Sequence, residues 1–267
     1  MVLQTVLITG AMGGLGDALV TEFSGKGWNV IATDLEGKNG KIDIPAGRVR
    51  KMAMDVTSSD SVGGVAGILL NEGQQIDLIV NNAGIDRYFP LCETPVEQFR
   101  EVLEVNVFGS YRVNQAFLPL LKKPGGKIIH ISSEAVKINM PFMTYPISKQ
   151  TLEGYSRTLR QELHFLGIDV TLIRPGAIKT PFLENVKNMK NPVRDSLLAL
   201  QFEKFAAQAY REIGKTVEPA TVAKYICRIA GIKRTKPVYR INNSIQLSIA
   251  SILPFSMVER MVYQRLK

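Results

Sequence analysis

Short runs of aliphatic and β-branched residues alternate along the chain with longer stretches whose apolar positions recur every three or four residues. The short runs predict strands at residues 4–9, 29–33, 49–53, 76–80, 127–131, 169–173 and 237–241. The longer stretches predict helices over 14–26, 58–73, 96–121 and 146–166, the second weakened by Gly63, Gly64 and Gly67. Near-continuous apolar strands such as Leu78-Ile79-Val80 and Ile128-Ile129 suit a sheet covered on both faces. The alternation predicts one α/β domain, a doubly wound parallel sheet with right-handed crossovers and ligands at the carboxyl ends of its strands.

Two segments depart from this pattern. Residues 180–216 begin with Pro181, Phe182 and Leu183 and continue with Leu197, Leu198, Phe202, Phe205 and Tyr210. They follow a strand end, where a substrate lid would sit; ordinary helix packing is the other explanation of their apolar residues. Residues 242–267 form a tail, apolar through Leu247, Ile249, Ile252, Leu253 and Phe255 and basic thereafter. It can close the lid, build an oligomer interface or lie on a membrane surface.

Composition narrows the class. The 267 residues are 45% hydrophobic and 21% charged, which suits a single globular domain with a sizeable core. No apolar run reaches the ~18–20 residues of a spanning helix, and the first eight residues run into a strand rather than a leader, so a cytoplasmic protein is expected. Cys92 and Cys227, with His130 and His164, fall outside metal-ligand spacing, and no metal site is expected. The net charge is +9, and Lys233, Arg234, Lys236, Arg240, Arg260, Arg265 and Lys267 face Glu259 alone in the last stretch, leaving the body near neutral. No nucleic-acid motif accompanies that charge. A solvated basic face is the first explanation and a weak contact with anionic membrane the second.

Candidate chemistry starts after the first strand, at Thr9-Gly10-Ala11-Met12-Gly13-Gly14-Leu15-Gly16, which opens into a helix. Glycines there let the backbone turn tightly and approach a pyrophosphate at the helix amino end. Asp34 ends the second strand eighteen residues after Gly16, where a carboxylate can accept both hydroxyls of an adenosine ribose and repel a 2′-phosphate. NAD is therefore expected over NADP, with Lys38 and Lys41 the nearest cations to argue otherwise. Tyr145 and Lys149, four apart at a helix start, share one face. An ammonium beside a phenol lowers its pKa from about 10 and lets it exchange a proton near neutrality; a surface pair is the alternative.

Thr-Gly-x-x-x-Gly-x-Gly, Asn81-Asn82-Ala83-Gly84 and Tyr-x-x-x-Lys, in that order, resemble the short-chain dehydrogenase/reductase superfamily from Thr5 to about Arg240. The resemblance implies a Rossmann-like domain and an NAD-dependent oxidoreductase acting on CH–OH groups. It implies that Gly10, Gly14 and Gly16, with Met12, Gly13 and Leu15 between them, hold the pyrophosphate, and Asp34 with Leu35 the ribose. Asp55 and Val56 would hold the adenine, and Asn82, Ala83 and Gly84 would line the pocket. Pro175, Gly176, Ile178 and Thr180 would hold the carboxamide, Thr180 having an N-cap as its plain alternative. Tyr145 would be the general acid/base and Lys149 its partner and a ribose ligand. Ser133 would orient the reacting oxygen, with Ser132 the alternative, and Asn106 would hold a water in the proton relay.

Pro146 directly after Tyr145 is tolerated in a first helical turn. The last strand lacks the Asp-Gly-Gly ending of many tetrameric members. With Arg160-Gln161-Glu162-Leu163, this ending resembles the retinol- and hydroxysteroid-type branch, which implies a lipophilic alcohol or ketone substrate and a homodimer or homotetramer. An NADPH-dependent carbonyl or 3-oxoacyl reductase, a sugar-nucleotide epimerase, a non-catalytic NAD-binding regulator and a membrane-associated scaffold are the competing readings.

Overall fold

The strands β1 (Thr5–Thr9), β2 (Asn29–Asp34), β3 (Val49–Ala53), β4 (Leu78–Asn81), β5 (Lys127–Ile131), β6 (Asp169–Pro175) and β7 (Val238–Ile241) lie side by side, every neighbouring pair parallel. They belong to a computed structural model that describes residues 3–38, 47–209, 211, 213 and 215–267; Lys41 and Tyr210 lie outside the described residues. The order is β3-β2-β1-β4-β5-β6-β7, so the winding reverses between β1 and β4 and opens a crevice at their carboxyl ends.

Successive side chains of a strand point to opposite faces, and here both faces are apolar. Val6, Ile8, Val80 and Ile129 pack beneath α1 (Gly14–Gly25) and α8 (Pro219–Ala230). Leu7, Ile79 and Ile128 pack on the other face with residues of α2 (Ser59–Asn71) and the helices that follow it. Helix α2 forms despite its glycines, because Val62, Val65, Ala66 and Leu69 bury one face and Ser58 Oγ accepts the Ser61 N–H at 3.1 Å. Packing outweighs the propensity loss of about 1 kcal/mol per glycine.

The single helix expected over 96–121 is instead divided. It becomes α3 (Val96–Leu103), a π-helical turn (Glu104–Gly109) and α4 (Ser110–Phe117). Asn106 causes the division: buried in the wider turn, it bonds to a loop and to the next long helix rather than facing outward. That helix, α5 (Tyr145–His164), starts with Pro146 in its first turn, as the sequence suggests.

Helices α6 (Pro181–Lys187) and α7 (Ala199–Ala209) make up the segment expected as a lid, and α9 (Ile245–Ala250) and α10 (Phe255–Leu266) the tail. Phe202, Phe205, Phe142, Tyr88 and Leu266 make a third buried cluster, so the tail folds back onto the lid. The Lys204 ammonium adds a bond to the Lys267 carbonyl at 2.6 Å. Helix α9 is anchored by the Ser244 N–H on Glu134 Oε2 at 2.6 Å and by Lys137 Nζ on Ser248 Oγ at 2.7 Å. Among the described residues no helix is long and apolar enough to cross a membrane, and no cluster of acidic, Cys and His side chains could hold a metal.

Candidate active site

The glycine turn owes its shape to close backbone contacts. Gly10 has φ +61°, and a Cβ on it would stand 2.9 Å from Ala83 Cα. One on Gly16 would stand 2.1 Å from the Gly10 carbonyl oxygen. Asn82 ties the end of β4 to this turn, donating from Nδ2 to the carbonyls of Thr9 and Gly10, both at 3.0 Å. Thr9 Oγ1 accepts the N–H groups of Asn82 and Ala83. Thr180 covers the turn from the opposite side, its methyl against Gly14. It occupies the N-cap position of α6, but its hydroxyl points to the Ile178 carbonyl at 3.4 Å and caps no N–H.

Asp34 closes the outer end of this groove. Its Oδ2 accepts the Met12 N–H at 2.9 Å and its Oδ1 the Leu35 N–H at 2.8 Å, while Lys38 Nζ stands 4.0 Å from Oδ1. Farther along, Asp55 Oδ1 accepts both the N–H and the hydroxyl of Thr57 at 2.8 Å. Gly10, Asp34, Asp55, Gly84, Tyr145 and Thr180 all line one cavity of about 2290 Å³. Glycines that tolerate no side chain, a helix amino end and a free-edged carboxylate fit a dinucleotide.

The chemistry gathers where α5 starts. Tyr145 is half-buried in the cavity wall, its ring 5.3 Å from that of Phe182, and the Ser133 hydroxyl lies close enough to its phenol to act on it. Lys149 is 3% exposed; its Nζ stands 5.4 Å from the Tyr145 ring centre and donates to the Ile131 carbonyl at 2.8 Å. Burial lowers the ammonium pKa to about 8.

The phenol differs from expectation. Burial first, then the negative Asp86, push its pKa above the ordinary value of 10.0, and the Ser133 bond only partly offsets them. Spacing puts the lysine beside the tyrosine, but desolvation by the surrounding wall dominates. Ser132 is engaged elsewhere: its hydroxyl donates at 2.6 Å to the buried Glu153, which also holds Arg174. Ser133 is thus the serine that faces the tyrosine. Asn106 uses its whole side chain, accepting the Ile85 N–H and donating to the Ile85 carbonyl and to Ser148 Oγ. With no side-chain proton left to offer, it fixes the walls of the site and could only accept, not donate, a further side-chain bond.

Residues 4–191 match the family model of the short chain dehydrogenases. The chain belongs to the short-chain dehydrogenase family. This short-chain dehydrogenase is 31% identical over 277 residues to an uncharacterized oxidoreductase of Bacillus subtilis, YusZ, covering 98% of each chain. It is 29% identical over 278 residues to the NADPH-dependent 3-dehydrocapnine reductase of Ornithobacterium rhinotracheale, covering 99% of this chain and 98% of the relative. Among solved structures, a short chain dehydrogenase/reductase from Burkholderia phymatum in complex with NAD matches with TM-score 0.77 and 20% identity, over 97% of this chain and 95% of the other. The seven-stranded sheet of this short-chain dehydrogenase is accordingly the family fold.

The sequence left Asp86 out of the site altogether. It lines the cavity and acts on Tyr145, yet its only signal is a carboxylate two positions beyond the Asn-Asn-Ala-Gly strand end. Tail residues such as Leu253 and Val262 also line the cavity, beside residues of α6 and α7.

Proposed function

We propose that this short-chain dehydrogenase passes a hydride between NAD(H) and a lipophilic secondary alcohol or ketone of steroid, retinoid or fatty-alcohol type. Bound nicotinamide would supply the hydride acceptor or donor. Gly10, Met12, Gly13, Gly14, Leu15 and Gly16 would seat the pyrophosphate. Asp55, Val56, Asn82, Ala83, Gly84, Pro175, Gly176, Ile178 and Thr180 would line the rest of the dinucleotide. Tyr145 would exchange the proton at the substrate oxygen, and Ser133 would hold that oxygen by a hydrogen bond. Lys149, positively charged below about pH 8, would favour the ionised phenol when substrate draws on it.

One observation carries the choice of NAD: the Asp34 carboxylate at the end of β2, fastened by the Met12 and Leu35 N–H groups. Each of its oxygens keeps lone pairs for a ribose hydroxyl, and its charge repels a 2′-phosphate. Fluorescence titration with NADH and NADPH tests this. NADH is expected to bind about tenfold or more tighter, with the gap closing in Asp34→Ala; tighter NADPH binding in the wild type would overturn it.

A second reading is an NADPH-dependent carbonyl reductase. Lys38, 4.0 Å from Asp34, is a cation available to a 2′-phosphate, and a phenol held above pKa 10.0 rests protonated, the state a reduction starts from. The Ornithobacterium relative, named as NADPH-dependent, points the same way.

A further inference from the structure

Asp86 is 3% exposed, lines the cavity and figures in the chemistry so far only through its charge on Tyr145. Its Oδ2 accepts the Tyr88 hydroxyl at 2.5 Å and its Oδ1 accepts Asn185 Nδ2, from α6, at 3.3 Å. A carboxylate has about four acceptor positions, so roughly half remain open. Among the described residues no ion pair reaches it. The adjacent Arg87 turns its guanidinium to Glu101 at 2.7 Å and to the Asp86 main-chain carbonyl at 3.0 Å. Burial raises its pKa, and its hydrogen bonds and the neighbouring Arg87 charge offset that only in part.

The position of this group relative to Tyr145 is set by α6. Phe182 packs on the Tyr145 ring, and Asn185, three residues on and so on the same helix face, bonds to Asp86. The Tyr145 ring and the Asp86 carboxylate therefore lie along the same face of α6, near enough for the carboxylate's charge to act on the phenol. A substrate held at Tyr145 by its carbinol oxygen can present a neighbouring nitrogen to Asp86 within the same cavity. Val186, Phe205, Leu247, Leu253 and Val262 add hydrocarbon to the wall, beside polar residues such as Gln208 and Arg265.

We propose that Asp86 receives the ammonium group of the substrate, and that the substrate is a lipophilic amino alcohol, or the matching amino ketone, with its nitrogen close to the reacting carbon. The inference deepens the dehydrogenase reading and rests on it for the role of Tyr145. In the oxidising direction the carbinol C–H leaves as hydride to NAD⁺ and the O–H proton goes through Tyr145 to water. The products are amino ketone, NADH and a proton, and the ammonium is unchanged. Binding also neutralises the charge that opposes phenol ionisation, so the correct substrate eases its own proton transfer.

The test uses the full chain saturated with NADH and calorimetric titration with 2-aminododecan-3-ol, its N-acetyl derivative and dodecan-3-ol at pH 7. The free amine is expected to bind about tenfold or more tighter than either neutral compound, and the preference is expected to fall to about one in Asp86→Asn. Equal binding in the wild type, or a preference that survives in Asp86→Asn, would overturn the inference. If the variant does not fold, the comparison of the free and acetylated amines in the wild type still decides. Turnover is assayed separately with NAD and with NADP. Plain-alcohol oxidation without amine preference sinks the inference alone, whereas tight amine binding without turnover of either alcohol sinks the dehydrogenase reading alone.

Discussion

Lys149 carries its charge in a place that resists it. Its pKa falls from 10.5 to about 8 because the ammonium is buried, with one carbonyl, that of Ile131, as its fixed acceptor. The sign of the stability effect follows from proton counting. Below pH 8 folded and unfolded chains both hold the proton, and the burial penalty is present in full. Between about pH 8 and 10.5 the unfolded chain binds more protons, so stability rises with pH, by about 3 kcal/mol over the whole window. In urea unfolding from pH 7 to 10, the wild type is expected to gain roughly 2–3 kcal/mol relative to Lys149→Met; parallel pH curves would remove the burial argument. The spacing of Tyr145 and Lys149 was legible, as were the glycines and Asp34, because short-range geometry suffices to place them. The upward shift of the phenol was not legible, since Phe182 and Asp86 reach it only through the folded chain.

At the scale of elements, the glycine turn is where backbone tolerances are tightest. A Gly16→Ala methyl would meet the Gly10 carbonyl oxygen at 2.1 Å, and only movement of α1 away from β1 relieves it. The expected result is a loss of about 2–3 kcal/mol, read as a melting point lower by roughly 4–12 °C, together with weaker NADH binding. An unchanged melting point and affinity would mean that the turn is more compliant than its contacts imply. The parallel sheet and the α/β class were readable from alternating periodicity, because a covered parallel strand must be apolar throughout; the strand order was not. The break between α3 and α4 was not. Periodicity runs through it, and only the bonds of Asn106 to Ile85 and Ser148 show why the helix widens there. Residues 180–216 stood out as a departure from the alternation, yet their helices could not be joined to the tail without Phe202, Phe205 and Leu266 packing together.

For the whole molecule, the tail decides how separable the two halves of the cavity are. Removing residues 245–267 is expected to leave NADH affinity within about threefold while abolishing discrimination between long-chain and short-chain alcohols, as measured by kcat/KM. A loss of NADH binding would show that the tail supports the entire crevice. Spinning both chains with phosphatidylserine vesicles tests the membrane role suggested by the basic tail, where Ile252 and Phe255 are 80% and 72% exposed. Equal pelleting of the two chains would dismiss that role. The order of these parts along the polypeptide has a further consequence. Every residue assigned to the dinucleotide precedes Pro181, whereas the substrate wall is complete only with Leu266. A chain emerging from the ribosome amino end first therefore exposes the groove for one reactant while the chamber for the other is still unsynthesised. Cellular dinucleotide can then act as an early folding ligand, and the enzyme would be born already charged with its redox partner.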